Sequence, residues 1–126
     1  NYGHTFGQSI ETYYGLYQDH LRHGEAVALG IKVAAKLSEI LYRSNSSREL
    51  SSITDQLLSS YNLPRKFLDL STNDYPSVNL LLENLVNDKK RVSTGNRFIV
   101  CDSIGSANVR IITNKTNISD AFEALY

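Results

Sequence analysis

The stretch from His23 to Arg43, HGEAVALGIKVAAKLSEILYR, contains no proline and constrains the fold more than any other part of the chain. Its apolar positions Val27, Ile31, Ala34, Ala35, Ile40 and Leu41, with Leu37 on the flank, recur at helical spacing and predict one long helix. Lys32, Lys36 and Glu39 are expected on other faces. Ala26, Ala28, Gly30, Ala34 and Ala35 have small side chains, which let neighbouring helices approach closely. A broad apolar face on a helix rich in small residues belongs in the middle of a bundle, where it meets partners on more than one side.

The elements around it follow from period and punctuation. Phe6, Ile10, Tyr13 and Tyr14 predict a helix from Thr5 to about Tyr14, ended by Gly15. SNSSREL is expected to be a loop leading into an N-cap without a complete capping box, opening a helix from Arg48 to Tyr61. Pro64 disfavours helix at Leu63 and stops it. RKFLDL reads as a short helical turn, and Val78, Leu81, Leu82, Leu85 and Val86 define a further helix. The period then changes. The β-branched runs Arg97 to Cys101 and Asn108 to Thr113, joined through Gly105, predict a β-hairpin. NISDAFEALY is expected to close the chain as a short helix capped by Asn117 or Ser119. The expected fold is mainly α: one helical bundle over residues 1–126 with a small β-hairpin.

Composition narrows the function classes. Thirteen basic residues balance thirteen acidic ones, so no overall field favours nucleic acid or an anionic membrane. No apolar run has the length of a membrane span. A single cysteine excludes an internal disulfide and fits a reducing, cytoplasmic setting. The chain starts at Asn1 and holds no methionine, so it is expected to be a piece of a longer protein.

All three histidines, His4, His20 and His23, fall within the first helical hairpin. Neutral imidazole is the commonest zinc ligand, and catalytic zinc usually takes three protein ligands with one open position. Spacing alone leaves two readings open: a ligand pair brought together by antiparallel helices, or incidental residues at helix ends. A two-histidine site is also one ligand short; Glu11 or Glu25 could in principle complete it, but Glu25 lies two residues from His23 and is expected on another face of the helix. Lys89 and Lys90 close the helix containing Leu81, where lysines complement the helix dipole or, alternatively, clamp an anion. Cys101 lies in an apolar strand and reads as a small buried hydrophobe. The tyrosines are spaced like core edges.

Read in order, NYGHTFGQSIE, HGEAVALGI, DKK and GNRFIVCDSIGSANV resemble the carboxy-terminal domain of the 3-dehydroquinate synthase family. The family pattern runs N-x-G-H-T-x-G-H-A-I-E, H-G-E-A-V-A-x-G, D-K-K, G-x-x-R-F-x-L and I-G. The resemblance implies a two-domain enzyme with an NAD-binding amino-terminal domain, absent here, and an active site in the cleft between the domains. It implies conversion of 3-deoxy-arabino-heptulosonate 7-phosphate to 3-dehydroquinate with loss of phosphate, by a homodimer that regenerates NAD within each turnover. It further implies zinc, or another divalent ion such as Co2+, gripping substrate oxygens as a Lewis acid. His4 and His23 match the two histidine ligands, with the third, a glutamate, in the other domain. Asn1 matches a substrate-contacting polar residue, and Lys89, or the adjacent Lys90, matches the lysine that contacts anionic groups. His20 matches nothing.

The departure is Gln8, where the family carries a second histidine associated with proton handling near the phosphate. Glutamine still forms hydrogen bonds but does not titrate near neutral pH. Related sugar phosphate cyclases that make 2-deoxy-scyllo-inosose or epi-valiolone share the fold and metal chemistry and vary around this position. The alternatives are therefore one of those cyclases, or a helical interaction domain that keeps the motifs by descent.

Overall fold

The computed structural model describes residues 2–15, 21–92, 97–103, 105–112 and 114–126. In chain order its elements are α1 (His4–Tyr14), α2 (His23–Tyr42), α3 (Asn45–Ser60), a single 3-10 turn (Phe67–Asp69), α4 (Val78–Val92), β1 (Arg97–Ser103), β2 (Ser106–Ile111) and α5 (Lys115–Glu123). The mainly helical bundle with one antiparallel hairpin is the fold the sequence predicts.

Helix α2 is the central element, packed against α1, α3, α5 and β1. Its buried face differs in phase from the sequence expectation. Ala26, Leu29, Gly30, Val33, Ala34 and Leu37 are buried, joined by Ala28 and Ala35, whereas Val27, Ile31, Ile40 and Leu41 are only partly so. With partners on several sides, the small residues go to the closest helix contact and the larger β-branched ones lie beside it. That contact is backbone against backbone. Gly3 takes a left-handed φ of 78° as the N-cap of α1, and a Cβ there would stand 2.6 Å from the Ile31 backbone nitrogen. A Cβ on Gly30 would fall 2.2 Å from the Gly3 carbonyl oxygen and 2.7 Å from the Gly7 nitrogen. Gly7 in turn faces Ala26 and Val27. The pairing of 3 with 30 and of 7 with 26 makes the two helices antiparallel.

Around this pair the core fills in layers. Phe6 stacks on Phe98 of β1 at 5.2 Å and meets Phe122 of α5 edge-on at 5.4 Å, in the geometries that the ring quadrupole favours. Two fully buried serines tie helices to their neighbours. Ser9 donates to the Leu81 carbonyl at 2.7 Å, and the Ser38 hydroxyl accepts from the Cys101 N–H at 2.9 Å while donating to the Ala34 carbonyl. The Tyr13 and Tyr14 hydroxyls both donate to Asp74, the first to its carboxylate and the second to its carbonyl. These rings are core edges with their polar ends satisfied.

Three boundaries differ from expectation. Helix α3 begins three residues early, because Ser44 is its N-cap and Ser47 supplies the reciprocal half of a capping box: Ser47 N–H donates to Ser44 Oγ at 3.1 Å and Ser44 N–H to Ser47 Oγ at 3.1 Å. A serine at the third position replaces the usual Glu or Gln. Helix α5 is capped by Asn114, whose side chain accepts from the Thr116 N–H at 2.9 Å, and not by Asn117 or Ser119. The hairpin turn is tighter than the runs suggest. Ser103 pairs with Ser106, with an irregularity between Cys101 and Ser103, and Gly105 sits in the turn at a φ of 81°. No described helix is long and apolar enough to cross a membrane.

Candidate functional site

One face of α1 carries the candidate site. His4 occupies the first helical position, directly after the left-handed Gly3, so the glycine that sets the helix contact also sets where this imidazole emerges. Gln8 follows one turn later and Glu11 one turn after that, so all three share a helix face. Phe6, Gly7, Ser9 and Ile10 between them are buried, and His4 and Gln8 are exposed. The buried residues hold this row outward.

His23 opens α2, also at the first helical position, and is exposed. Because the helices are antiparallel, it arrives beside the far end of the α1 row. Its Nδ1 donates to the Glu11 carboxylate. An ionised carboxylate only accepts, so in the neutral imidazole the proton belongs on Nδ1 and the lone pair on Nε2, across the ring from Glu11. His4 stands about 10 Å along the helix axis from Glu11, given a rise of 1.5 Å per residue. Among the described residues no hydrogen bond joins the two histidines. The structure thus brings His23 to Glu11 and sets His4 and Gln8 along the same exposed row.

Glu25, the other nearby carboxylate, is occupied at the helix terminus, where its Oε1 accepts the Arg22 N–H at 3.0 Å. It also borders a hollow of about 270 Å³ with Asn62, Arg65 and Asp69, which contains no histidine. Among the described residues no group of three His, Cys, Asp or Glu side chains is placed to hold a metal. Cys101 is half-buried, and burial pushes its thiol up, with nearby Asp102 acting the same way. A raised thiol pKa is the opposite of what a nucleophile needs. Asn1 and His20 lie outside the described residues, as do the side chains of Lys89 and Lys90, whose backbone belongs to the last part of α4.

Sequence reasoning passed over the Glu11 contact with His23. The signal was there: residues 4, 8 and 11 share a face, and an antiparallel return places the next helix start beside the last of them.

The chain matches the family model described as "3-dehydroquinate synthase C-terminal" over residues 1–91. It is 36% identical over 121 residues to the 3-dehydroquinate synthase of Geotalea uraniireducens, covering 94% of this chain and 30% of the relative. With that of a Synechococcus strain it shares 35% over 125 residues, covering 99% and 31%. With that of Idiomarina loihiensis it shares 40% over 111 residues, covering 86% and 28%. The chain spans less than a third of the length of these relatives.

Proposed function

Since the chain belongs to the 3-dehydroquinate synthase family and carries its carboxy-terminal domain, we propose that it is the metal- and substrate-binding part of a 3-dehydroquinate synthase. The observation that carries this reading is the outward row of His4, Gln8 and Glu11 with His23 beside it, all within the stretch that matches the family. The proposed reaction converts 3-deoxy-arabino-heptulosonate 7-phosphate to 3-dehydroquinate and phosphate. The proposed setting is the cytoplasm, in a homodimeric full-length enzyme whose other domain binds NAD.

The donor set suits a divalent ion. Two exposed imidazoles stand at helix starts, and one has its Nδ1 proton committed to a carboxylate, which leaves Nε2 for a metal. His4 and His23 would hold zinc or a similar ion, completed by a ligand from outside this chain. The bound metal would supply Lewis acidity to the substrate hydroxyl that is oxidised. Gln8, one turn from His4, would hold the substrate by hydrogen bonds without moving a proton at neutral pH. Lys89, or Lys90 beside it, would hold an anionic group of the substrate, and Asn1 a polar one. This chain alone is expected to be inactive, because the nicotinamide must be held against the substrate.

The test uses the full-length protein. Wild type should retain zinc and turn over the heptulosonate phosphate, and His4→Ala and His23→Ala should each lose both properties. Zinc retention in both variants would refute the ligand assignment.

Gln8 favours a second reading, in which the substrate is the sugar phosphate of a related cyclase. General acid–base catalysis by a side chain typically contributes about 10²–10⁴-fold. If the enzyme is a dehydroquinate synthase, Gln8→His should raise turnover of the heptulosonate phosphate, or leave it unchanged where the departing phosphate already serves as base. If it is another cyclase, a heptulose or hexose phosphate should be the better wild-type substrate, and Gln8→His should not improve that reaction.

A further inference from the structure

Among the described residues the Glu11 carboxylate has no part in the helix contact, in a cap or in a link to the core, and the one hydrogen bond it makes is to His23. We infer that Glu11 is a positioning residue that fixes the tautomer and ring orientation of His23 for metal binding. This rests on the reading of His23 as a ligand.

His23 has little holding it besides Glu11. It opens α2 with its side chain 69% exposed, so packing against the described residues restrains its ring little. A free imidazole there divides its proton between two nitrogens and samples several rotamers, and each alternative lowers the fraction ready to bind. Glu11 removes both freedoms. Its carboxylate accepts from Nδ1, which puts the lone pair on Nε2, across the ring from Glu11.

Glu11 is itself held better than the ring it holds. It lies on α1 next to buried Ile10, its side chain is 39% exposed, and α1 is fixed to α2 through Gly3, Gly7 and Gly30. The backbone contact therefore sets the helix register that delivers Glu11 to His23. The same geometry removes Glu11 as a direct ligand through that oxygen, because an oxygen bonded at Nδ1 faces the opposite side of the ring from Nε2.

Outer carboxylates of this kind typically contribute about 10–100-fold to metal affinity. In the full-length protein, zinc affinity measured by competition with a chelator should fall by about that range in Glu11→Ala. Glu11→Gln, which keeps an acceptor oxygen but not the charge, should fall less. With Co2+ as a spectroscopic probe, the visible absorption bands should change in shape in Glu11→Ala, reporting a reoriented ligand that a purely structural role would not produce. Glu11→Ala added to His23→Ala should cause no further loss. Wild-type zinc affinity in Glu11→Ala, alongside lost binding in His23→Ala, would overturn this inference and leave the ligand assignment standing. Undiminished binding in His23→Ala would instead overturn the ligand assignment, and this inference with it. If Glu11→Ala does not fold, Glu11→Gln decides by the same two measurements.

Discussion

The two ends of the α1–α2 pair are built on opposite principles. At one end Gly3, Gly7 and Gly30 put backbone against backbone, with no room for an added carbon at Gly3 or Gly30. At the other, Glu11 and His23 meet through side chains, with the imidazole largely in water. The first end fixes the relative position of the helices by exclusion. The second uses that position to hold groups that stay accessible. The pair teaches that one helix contact serves packing and site together, and that damage at the packed end should reach the site, while damage at the site should not reach the packing.

The sharpest way to break this comparison is Gly30→Ala. The added Cβ has nowhere to go, since the atoms it would strike are the Gly3 carbonyl and the Gly7 nitrogen. Overpacking a core typically costs about 1–3 kcal/mol, and a backbone obstacle places this case at or above the top of that range. The expected result is a chain that denatures at much lower urea concentration than wild type, or none recovered in soluble form, with zinc affinity reduced in whatever remains folded. A denaturation midpoint equal to wild type would mean that the helices do not touch here.

This contact also shows what the sequence discloses and what it withholds. The small residues of α2 are visible as a pattern, so a central helix in close contact follows directly from them. Which face is closest does not follow, because a helix surrounded on several sides has no single apolar stripe. The positions of Gly3 and Gly7 beside His4 look like motif spelling until the structure shows them against Gly30. Likewise, the Ser44–Ser47 box escapes a search for Glu or Gln at the third position. Local chemistry is legible one helix at a time, whereas Glu11 on His23 depends on the register between two helices.

Alkali provides a second break, through tyrosine hydroxyls held within the fold. Burial, the larger effect, pushes Tyr2 up from 10.0 to about 12, and Tyr126 up to about 12. Burial likewise raises Tyr14 well above its ordinary value. A folded pKa above the unfolded one means that the folded state holds its proton more tightly. The stability this supplies is complete below about pH 10 and is lost as pH rises through the folded values. The urea midpoint of the protein should therefore be level up to about pH 10 and fall steadily toward pH 12, with tyrosinate absorbance rising as unfolding proceeds. A midpoint unchanged across that window would contradict the burial of these hydroxyls.

A smaller effect sharpens the contrast by testing one side chain on each side of it. Ser38 is fully buried and bridges α2 to β1, so Ser38→Ala leaves the Cys101 N–H without its acceptor. A buried donor left unsatisfied costs about 1–3 kcal/mol. Gln8→Ala, on the exposed row, should stay within about 0.5 kcal/mol of wild type, as surface substitutions usually do. Measured together by urea denaturation, the two should separate clearly. Equal losses would mean that the exposed row carries the fold as well as the site.

The smallest effect concerns a motif glycine that neither packing nor a left-handed φ explains. Gly24 follows His23 in the second position of α2, is exposed, and an added Cβ there meets nothing within 4 Å. Its φ is not in the left-handed region, so alanine fits the backbone without strain. Replacing a helical glycine by alanine then reduces the freedom of the unfolded chain and should stabilise this domain by about 0.4–1 kcal/mol. Gly30→Ala and Gly24→Ala thus differ in sign, although the two glycines lie six residues apart on one helix. The activity of full-length Gly24→Ala adds a second reading. Unchanged turnover with the small gain in stability would make Gly24 neutral to function. Lost turnover with the same gain would mean that the space beside His23 is kept clear for something outside this chain, such as substrate or the rest of the enzyme. A loss of stability would show that Gly24 is packed after all, and the division between a closed and an open end of the helix pair would fail.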